Sequence, residues 1–244
     1  MPVEHSRALP AAVVAGGFAV LARVLRSVTD GGAILGAGIA FLFMNAAGLT
    51  GFVPILVVFL LTWLATRWRA ERKRNAGVAE GAGGRRASQV LANLGAAGLC
   101  ALAATMFPGQ LELLMAGAMA ALAEAAADTV SSEVGQGSAT QPLLILGLAR
   151  APVGTNGAIS VEGTLAGCIA ASIVAWAGAF SNIMPLRWSP VIALAGTAGM
   201  LFDSFLGAAF ENKGLMGNDA VNFVSTIFAA DFALLAILAS RIGR

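Results

Sequence analysis

The 244-residue sequence contains one histidine, no tyrosine and two cysteines. The histidine, His5, stands in the N-terminal tail, so histidine-centred triads and multi-histidine metal sites are excluded. Cys100 and Cys168 lie far apart inside apolar runs and form neither a CxxC metal motif nor a disulfide framework. They read as buried free thiols. Charge is scarce too, at 11% of residues, where a soluble protein carries roughly a quarter. A formal net charge of +2 leaves no footprint for nucleic acid. Polar chemistry is left to carboxylates, amides, hydroxyls and a few basic groups.

What is plentiful is apolar: 58% hydrophobic residues, 30 glycines and a mean hydropathy of +0.81. That excludes a soluble globular domain. A membrane helix takes roughly 20 largely apolar residues, so eight spans use about 160 and leave short loops. Hydropathy places them at about 8–25, 31–49, 51–68, 88–107, 110–129, 160–180, 190–210 and 220–240. Arg23 interrupts the first, which is read as a short or tilted span, with a seven-span chain as the alternative. It lacks the small-residue cleavage site of a signal peptide. The expected fold is an all-α polytopic membrane bundle, one domain over residues 1–244.

Lysine and arginine counts set the orientation. Residues 67–89 hold Arg67, Arg69, Arg72, Lys73, Arg74, Arg85 and Arg86. With this segment in the cytoplasm, alternation also brings Arg23, Arg26, Arg150 and Lys213 inside, 11 of the 15 basic residues. Arg7, Arg187, Arg241 and Arg244 stay outside with both termini. The spans then form four hairpins turning in the cytoplasm, through a basic loop at 69–87 and polar loops at 130–159 and 211–219. The outer turns are short and nearly uncharged, so function is expected on the cytoplasmic side. A faint repeat aligns residues 156–165 with 218–227, each following a carboxylate plus hydroxyl pair, Asp128-Thr129 and Asp203-Ser204.

An ionisable side chain within a span costs at least about 2.5–3.5 kcal/mol and needs a partner or a use. Asp203 lies about 12 Å below the inner end of its span at 1.5 Å per residue. Gly196, Gly199 and Gly207 share its helical face. Small residues there allow a helix or a ligand close to the carboxylate. Glu124, Asp128 and Ser131 or Ser132 share another face, where two carboxylates at i, i+4 repel and a cation relieves them. Magnesium fits, because it takes one or two carboxylates plus substrate phosphates; a hydrogen-bond network is the alternative. The segment from Arg150 to Ser160 contains Gly154, Thr155, Asn156 and Gly157 and precedes a helix. Its backbone amides favour an anion, although without the Lys-Ser/Thr of a Walker loop. An ordinary capped turn is the competing reading. Lys213 suits phosphate as a point charge, and Asn218, Asp219 and Asn222 open the last span, where one of them caps the helix.

Five segments together resemble one family. They are Ala127-Asp-Thr-Val-Ser-Ser-Glu-Val-Gly135, Val153-Gly-Thr-Asn-Gly-Ala-Ile-Ser-Val-Glu-Gly-Thr-Leu165, Asp203-Ser-Phe-Leu-Gly-Ala208, Asn218-Asp-Ala-Val-Asn-Phe-Val-Ser-Thr226 and, more weakly, Gln89-Val-Leu-Ala-Asn93. The likeness is to the multi-spanning family of plant phytyl-phosphate kinase and vertebrate transmembrane protein nineteen, and it runs from about Arg85 to Asp231. Val130 departs from it, standing where an aromatic is expected. The resemblance implies a kinase that converts a prenyl monophosphate (phytyl, geranylgeranyl or farnesyl type) to the diphosphate, using a nucleoside triphosphate such as CTP. It also implies kinship with membrane cytidylyltransferases, which make CDP-lipids.

In that reading Asp128, Asp203 and Asp219 are catalytic and hold magnesium, with Glu133 or Asn222 as a further ligand. Arg150, Gly154, Thr155, Asn156, Gly157 and Lys213 hold phosphates, joined by Ser131, Ser132, Asn218 and Asn222 for the nucleotide. The expected partners are a prenyl monophosphate, a nucleotide and the bilayer, with no nucleic acid. The expected location is a prokaryotic plasma membrane, with the site facing the cytoplasm. A transporter is the reading from another class.

Overall fold

A computed structural model describes residues 5–79, 81 and 83–242. The expectations for Arg244 and for the side chains of His5 and Arg7 lie outside what is described. Nine α-helices carry the described chain: α1 His5–Val24, α2 Asp30–Ala47, α3 Phe52–Arg67, α4 Ala70–Asn75, α5 Ala87–Met106, α6 Leu111–Gly137, α7 Val161–Phe180, α8 Ser189–Ala209 and α9 Asn218–Ile242. Two strands, β1 Leu143–Leu144 and β2 Ala158–Ile159, pair antiparallel. Among the described residues seven helices are long and apolar enough to cross a membrane, α2, α3 and α5 to α9. The apolar stretch of α1, Ala8–Val24, is shorter, as Arg23 led us to expect.

α6 is the axis. A helix apolar all round belongs in an interior, and from Leu113 to Ala127 every residue but Leu114 is buried. Alanine predominates there, so neighbouring helices approach on every side: α3, α5, α7, α8 and α9 all pack against it. The glycines of α8 serve this closeness. A Cβ at Gly196 would stand 2.8 Å from the Ala123 Cβ, and one at Gly199 would stand 2.5 Å from the Glu124 Cγ. The same Gly199 Cβ would stand 3.0 Å from the Ala229 Cβ, so α6 and α9 both approach the Asp203 face.

Three sequence expectations are corrected. Hydropathy ends the fifth span at residue 129, yet α6 runs to Gly137, so the loop assigned to 130–159 starts at Ser138. The last two turns are polar in Ser131, Ser132, Glu133 and Gln136, which lowers the hydropathy without breaking the helix. The basic segment 69–87 is not a plain loop, because it folds residues 70–75 into α4. The repeat is not a structural one. Residues 156–160 form a turn and a strand, whereas 218–222 are helical.

The connecting segments converge at one end of the bundle. Arg67 donates to the Leu25 carbonyl (3.0 Å), Arg69 to Gly137 O (3.2 Å), and Asn212 to Asn156 O (3.0 Å). Lys73 of α4 turns inward until it is 1% exposed and pairs with the buried Glu133. Its ammonium also donates to Ala65 O (3.0 Å) and Thr66 O (2.8 Å). Removing one member of a buried pair leaves the other charge unpaired. Lys73→Ala is therefore expected to lose about 3–5 kcal/mol of stability, read as a lower unfolding midpoint in detergent. Lys73→Ala combined with Glu133→Gln should recover part of it.

Candidate functional site

At this end, α6, α8, the first residue of α9 and the segment 142–160 that leads into α7 enclose a polar cavity of about 150 Å³. Asp128 and Ser131 reach it from α6 and Asp203 and Ser204 from α8, while residues 153–158 close the opposite wall. A second polar cavity, about 190 Å³, lies toward α5 and is lined by Arg85, Gln89, Asn93 and Thr129. Asp128, Ser132, Gln136 and Asn218 line both. The two adjoin along these four residues and together form the cleft.

Two left-handed glycines shape the loop wall. Gly154 has φ +85° and Gly157 φ +72°. A Cβ on Gly157 would fall 2.4 Å from the Ala208 nitrogen and 2.5 Å from Ser204 O. The loop thus lies directly on the last turns of α8, beside Asp203. Ser160 then caps α7, its hydroxyl accepting from the Gly163 amide at 3.1 Å. The capped turn expected from sequence is present, and it faces the same cleft as the two aspartates.

Asp203 is held in place. Ser225 donates to its Oδ2 at 3.1 Å. With the Asn222 amide oriented by its surroundings, its nitrogen donates to Asp203 Oδ2 and Asn218 O (3.2 Å each), and its oxygen accepts from Asn93 Nδ2 at 3.2 Å. Behind the cleft is Glu124, 1% exposed, near enough to Asp128 and Asp203 to be repelled by both. Its Oε1 is buried without a hydrogen-bond partner.

The residues singled out in the sequence divide into two groups. Asp128, Ser131, Ser132, Gly154, Thr155, Asn156, Gly157, Asp203, Asn218 and Asn222 all line the cleft. Glu133 also lines it, but both its oxygens are engaged, by Lys73 and by Thr66 Oγ1. Arg150 and Lys213 are exposed, Asp219 is half-buried in the first turn of α9, and none of the three lines the cleft. Sequence reasoning missed Arg85, Gln136 and Glu211 as wall residues and Ser225 as the partner of Asp203. Arg85 stands in a basic run whose sequence signals only sidedness. Gln89 and Asn93 form a sequence motif that carries no role by itself.

The donor set can be tested against a cation. Among the described residues no three His, Cys, Asp or Glu side chains group closely enough to hold a metal ion unaided. Asp128 and Asp203 do face one cleft, and an unpartnered buried carboxylate oxygen stands behind them. Such a set suits magnesium, which keeps waters and takes one or two carboxylates together with phosphate oxygens.

Comparison with known proteins places the chain. The family described as Integral membrane protein DUF92 matches residues 13–230, and the chain belongs to that family. The chain is 33% identical over 192 residues to an uncharacterized membrane protein of Synechocystis, covering 78% of this chain and 74% of that one. It is 31% identical over 198 residues to Protein VTE6, chloroplastic, of Arabidopsis thaliana, covering 78% of this chain and 60% of the relative. An uncharacterized membrane protein of Methanocaldococcus jannaschii is 32% identical over 222 residues, covering 89% of each. No solved structure matches. The protein is thus a multi-pass integral membrane protein.

Proposed function

We propose that this DUF92 protein is a prenyl-phosphate kinase, transferring a phosphoryl group from a nucleoside triphosphate such as CTP to a prenyl monophosphate. The observation that carries this reading is one cleft in which two intramembrane carboxylates, Asp128 and Asp203, face a loop bent by two left-handed glycines. An acid on one wall and backbone amides on the other suit a cation-bound polyphosphate. The motif resemblance to phytyl-phosphate kinase supports the same reading. The basic segments gathered at this end favour the cytoplasmic face of a prokaryotic plasma membrane.

Phosphoryl transfer is mostly positioning and charge neutralisation. The acceptor is an ionised phosphate oxygen, which attacks the terminal phosphorus while the bridging P–O bond breaks and the nucleoside diphosphate leaves. No proton has to be removed first, so a chain with one histidine is well equipped for it. Magnesium, when bound, supplies countercharge to the triphosphate. Asp128 and Asp203 would hold it, with water and phosphate oxygens as its remaining ligands. Ser225 and Asn222 fix the Asp203 carboxylate, and the 153–158 loop holds the polyphosphate against it.

The test is the purified protein in lipid with geranylgeranyl monophosphate, magnesium and each nucleoside triphosphate in turn. The expected product is the prenyl diphosphate, identified by mass. A CDP-lipid with released pyrophosphate would make the protein a cytidylyltransferase. Flux of the prenyl phosphate across vesicles without nucleotide turnover would make it a transporter.

A further inference from the structure

A separate, apolar cavity begins on the other side of Arg85. α1, α2, α3 and α5 surround it and α6 closes its floor, with Phe18, Gly36, Ile55, Leu94 and Ala125 among its walls. Its only charged or amide side chains are Arg85, Gln89 and Asn93, and these same three line the polar cleft beside Asp128. The apolar cavity and the cleft therefore meet across one polar wall. On α6 the two spaces lie close: Ala125 lines one and Asp128 the other, about 4.5 Å of helical rise apart.

Arg85 is fixed at this junction by its backbone. Its amide donates to Ser27 O and its carbonyl accepts from the Thr29 amide, both at 3.0 Å. Gly84 precedes it at φ +75°, where a Cβ would lie 2.5 Å from the Ser27 carbonyl carbon. The half-buried guanidinium lies 3.5 Å from Thr129 Oγ1, next in sequence to Asp128. An arginine pinned where an apolar slot opens into an acidic cleft matches an amphiphile with an anionic head.

We infer that the apolar cavity receives the phosphate-proximal carbons of the lipid acceptor's first isoprene unit, and that Arg85 holds the phosphate facing the Asp128–Asp203 cleft. This rests on the kinase reading and adds the acceptor subsite to it. Size limits what enters. The cavity measures about 90 Å³, whereas an apolar cavity of about 150 Å³ admits benzene. The smaller cavity takes only the carbons next to the phosphate, part of the first isoprene unit, and the rest of the tail lies in the bilayer. Affinity then depends on the phosphate and the first unit, and only weakly on chain length.

Gly36 gives the test. It lines the cavity, and a Cβ added there meets nothing within 4 Å. Gly36→Leu puts an apolar side chain into the slot from a position where the Cβ itself meets nothing, and improves helix propensity. Ala19→Leu enters the same slot from α1 and serves if the first variant does not fold. Binding of geranyl and geranylgeranyl monophosphate to the full-length protein in nanodiscs is measured without nucleotide, with geranylgeraniol as the uncharged probe. The wild type is expected to bind the two phosphates within about threefold of each other, since both present the same first unit to a cavity of fixed polar end. The filled variants should weaken both at least about tenfold, the scale of one apolar group's lost burial. Arg85→Gln should weaken the phosphates by a similar factor and leave the alcohol unchanged. Wild-type phosphate affinity in a folded filled variant, or equal loss of alcohol and phosphate in Arg85→Gln, overturns the subsite. The kinase reading fails separately, if the wild type binds the lipid as described but forms no diphosphate.

Discussion

Asp203→Asn is expected to lower kcat by about 10²–10³-fold, the range seen when one preorganised electrostatic group is removed from a site, while the unfolding midpoint stays level or rises. The substitution is isosteric. An asparagine oxygen at the Oδ2 position still accepts from Ser225 and from Asn222, so the hydrogen bonds that fix the side chain persist. What disappears is a carboxylate that shares the cleft with Asp128 and could serve a cation there, while the fold gives up no hydrogen bond. A residue kept only for the fold would show the reverse, with activity following stability downward. Turnover with geranylgeranyl monophosphate and thermal unfolding, measured on one preparation, separate the two. Wild-type turnover in a folded Asp203→Asn protein would remove Asp203 from the proposed machinery.

The bundle was legible in the sequence because burial in lipid imposes its own statistics. Seven helices met the length and composition of a span, and the arginine inside the first segment marked it as short. The expected site was legible in its acids and glycines for a related reason. Asp128 and Asp203 are costly in a span, and Gly154 and Gly157 have little reason to recur in so short a stretch unless the backbone needs them. The rest lay in tertiary pairing, which one sequence does not display. Lys73 read as one more loop cation until α4 folded it under the bundle against Glu133. Arg150, Lys213 and Asp219 sit near the acids in sequence or hairpin order, but the turns carry them off the cleft. Polar residues at the end of α6 looked like loop because hydropathy sees composition and not hydrogen bonding.

Gly157→Val should be nearly as damaging to turnover as loss of the acid, by a different route. Its φ of +72° is strained for any residue with a Cβ, by about 1–2 kcal/mol. The larger difficulty is space, because that Cβ would overlap the backbone at Ala208 and Ser204, and neither can rotate away as a flexible side chain could. The loop must lift from α8, and residues 153–158 then no longer face Asp128 and Asp203 across the cleft. Turnover is expected to fall about 10²-fold, the cost of misplacing a positioning group by about 1 Å, with the nucleotide KM raised. Helical content should be unchanged, since the transmembrane helices do not depend on this turn. Gly217→Ala is the control, because a Cβ there meets nothing within 4 Å and should leave turnover as it was. A Gly157→Val protein with wild-type nucleotide KM would show that the loop does not bear the polyphosphate, and would move that role elsewhere on the cleft wall.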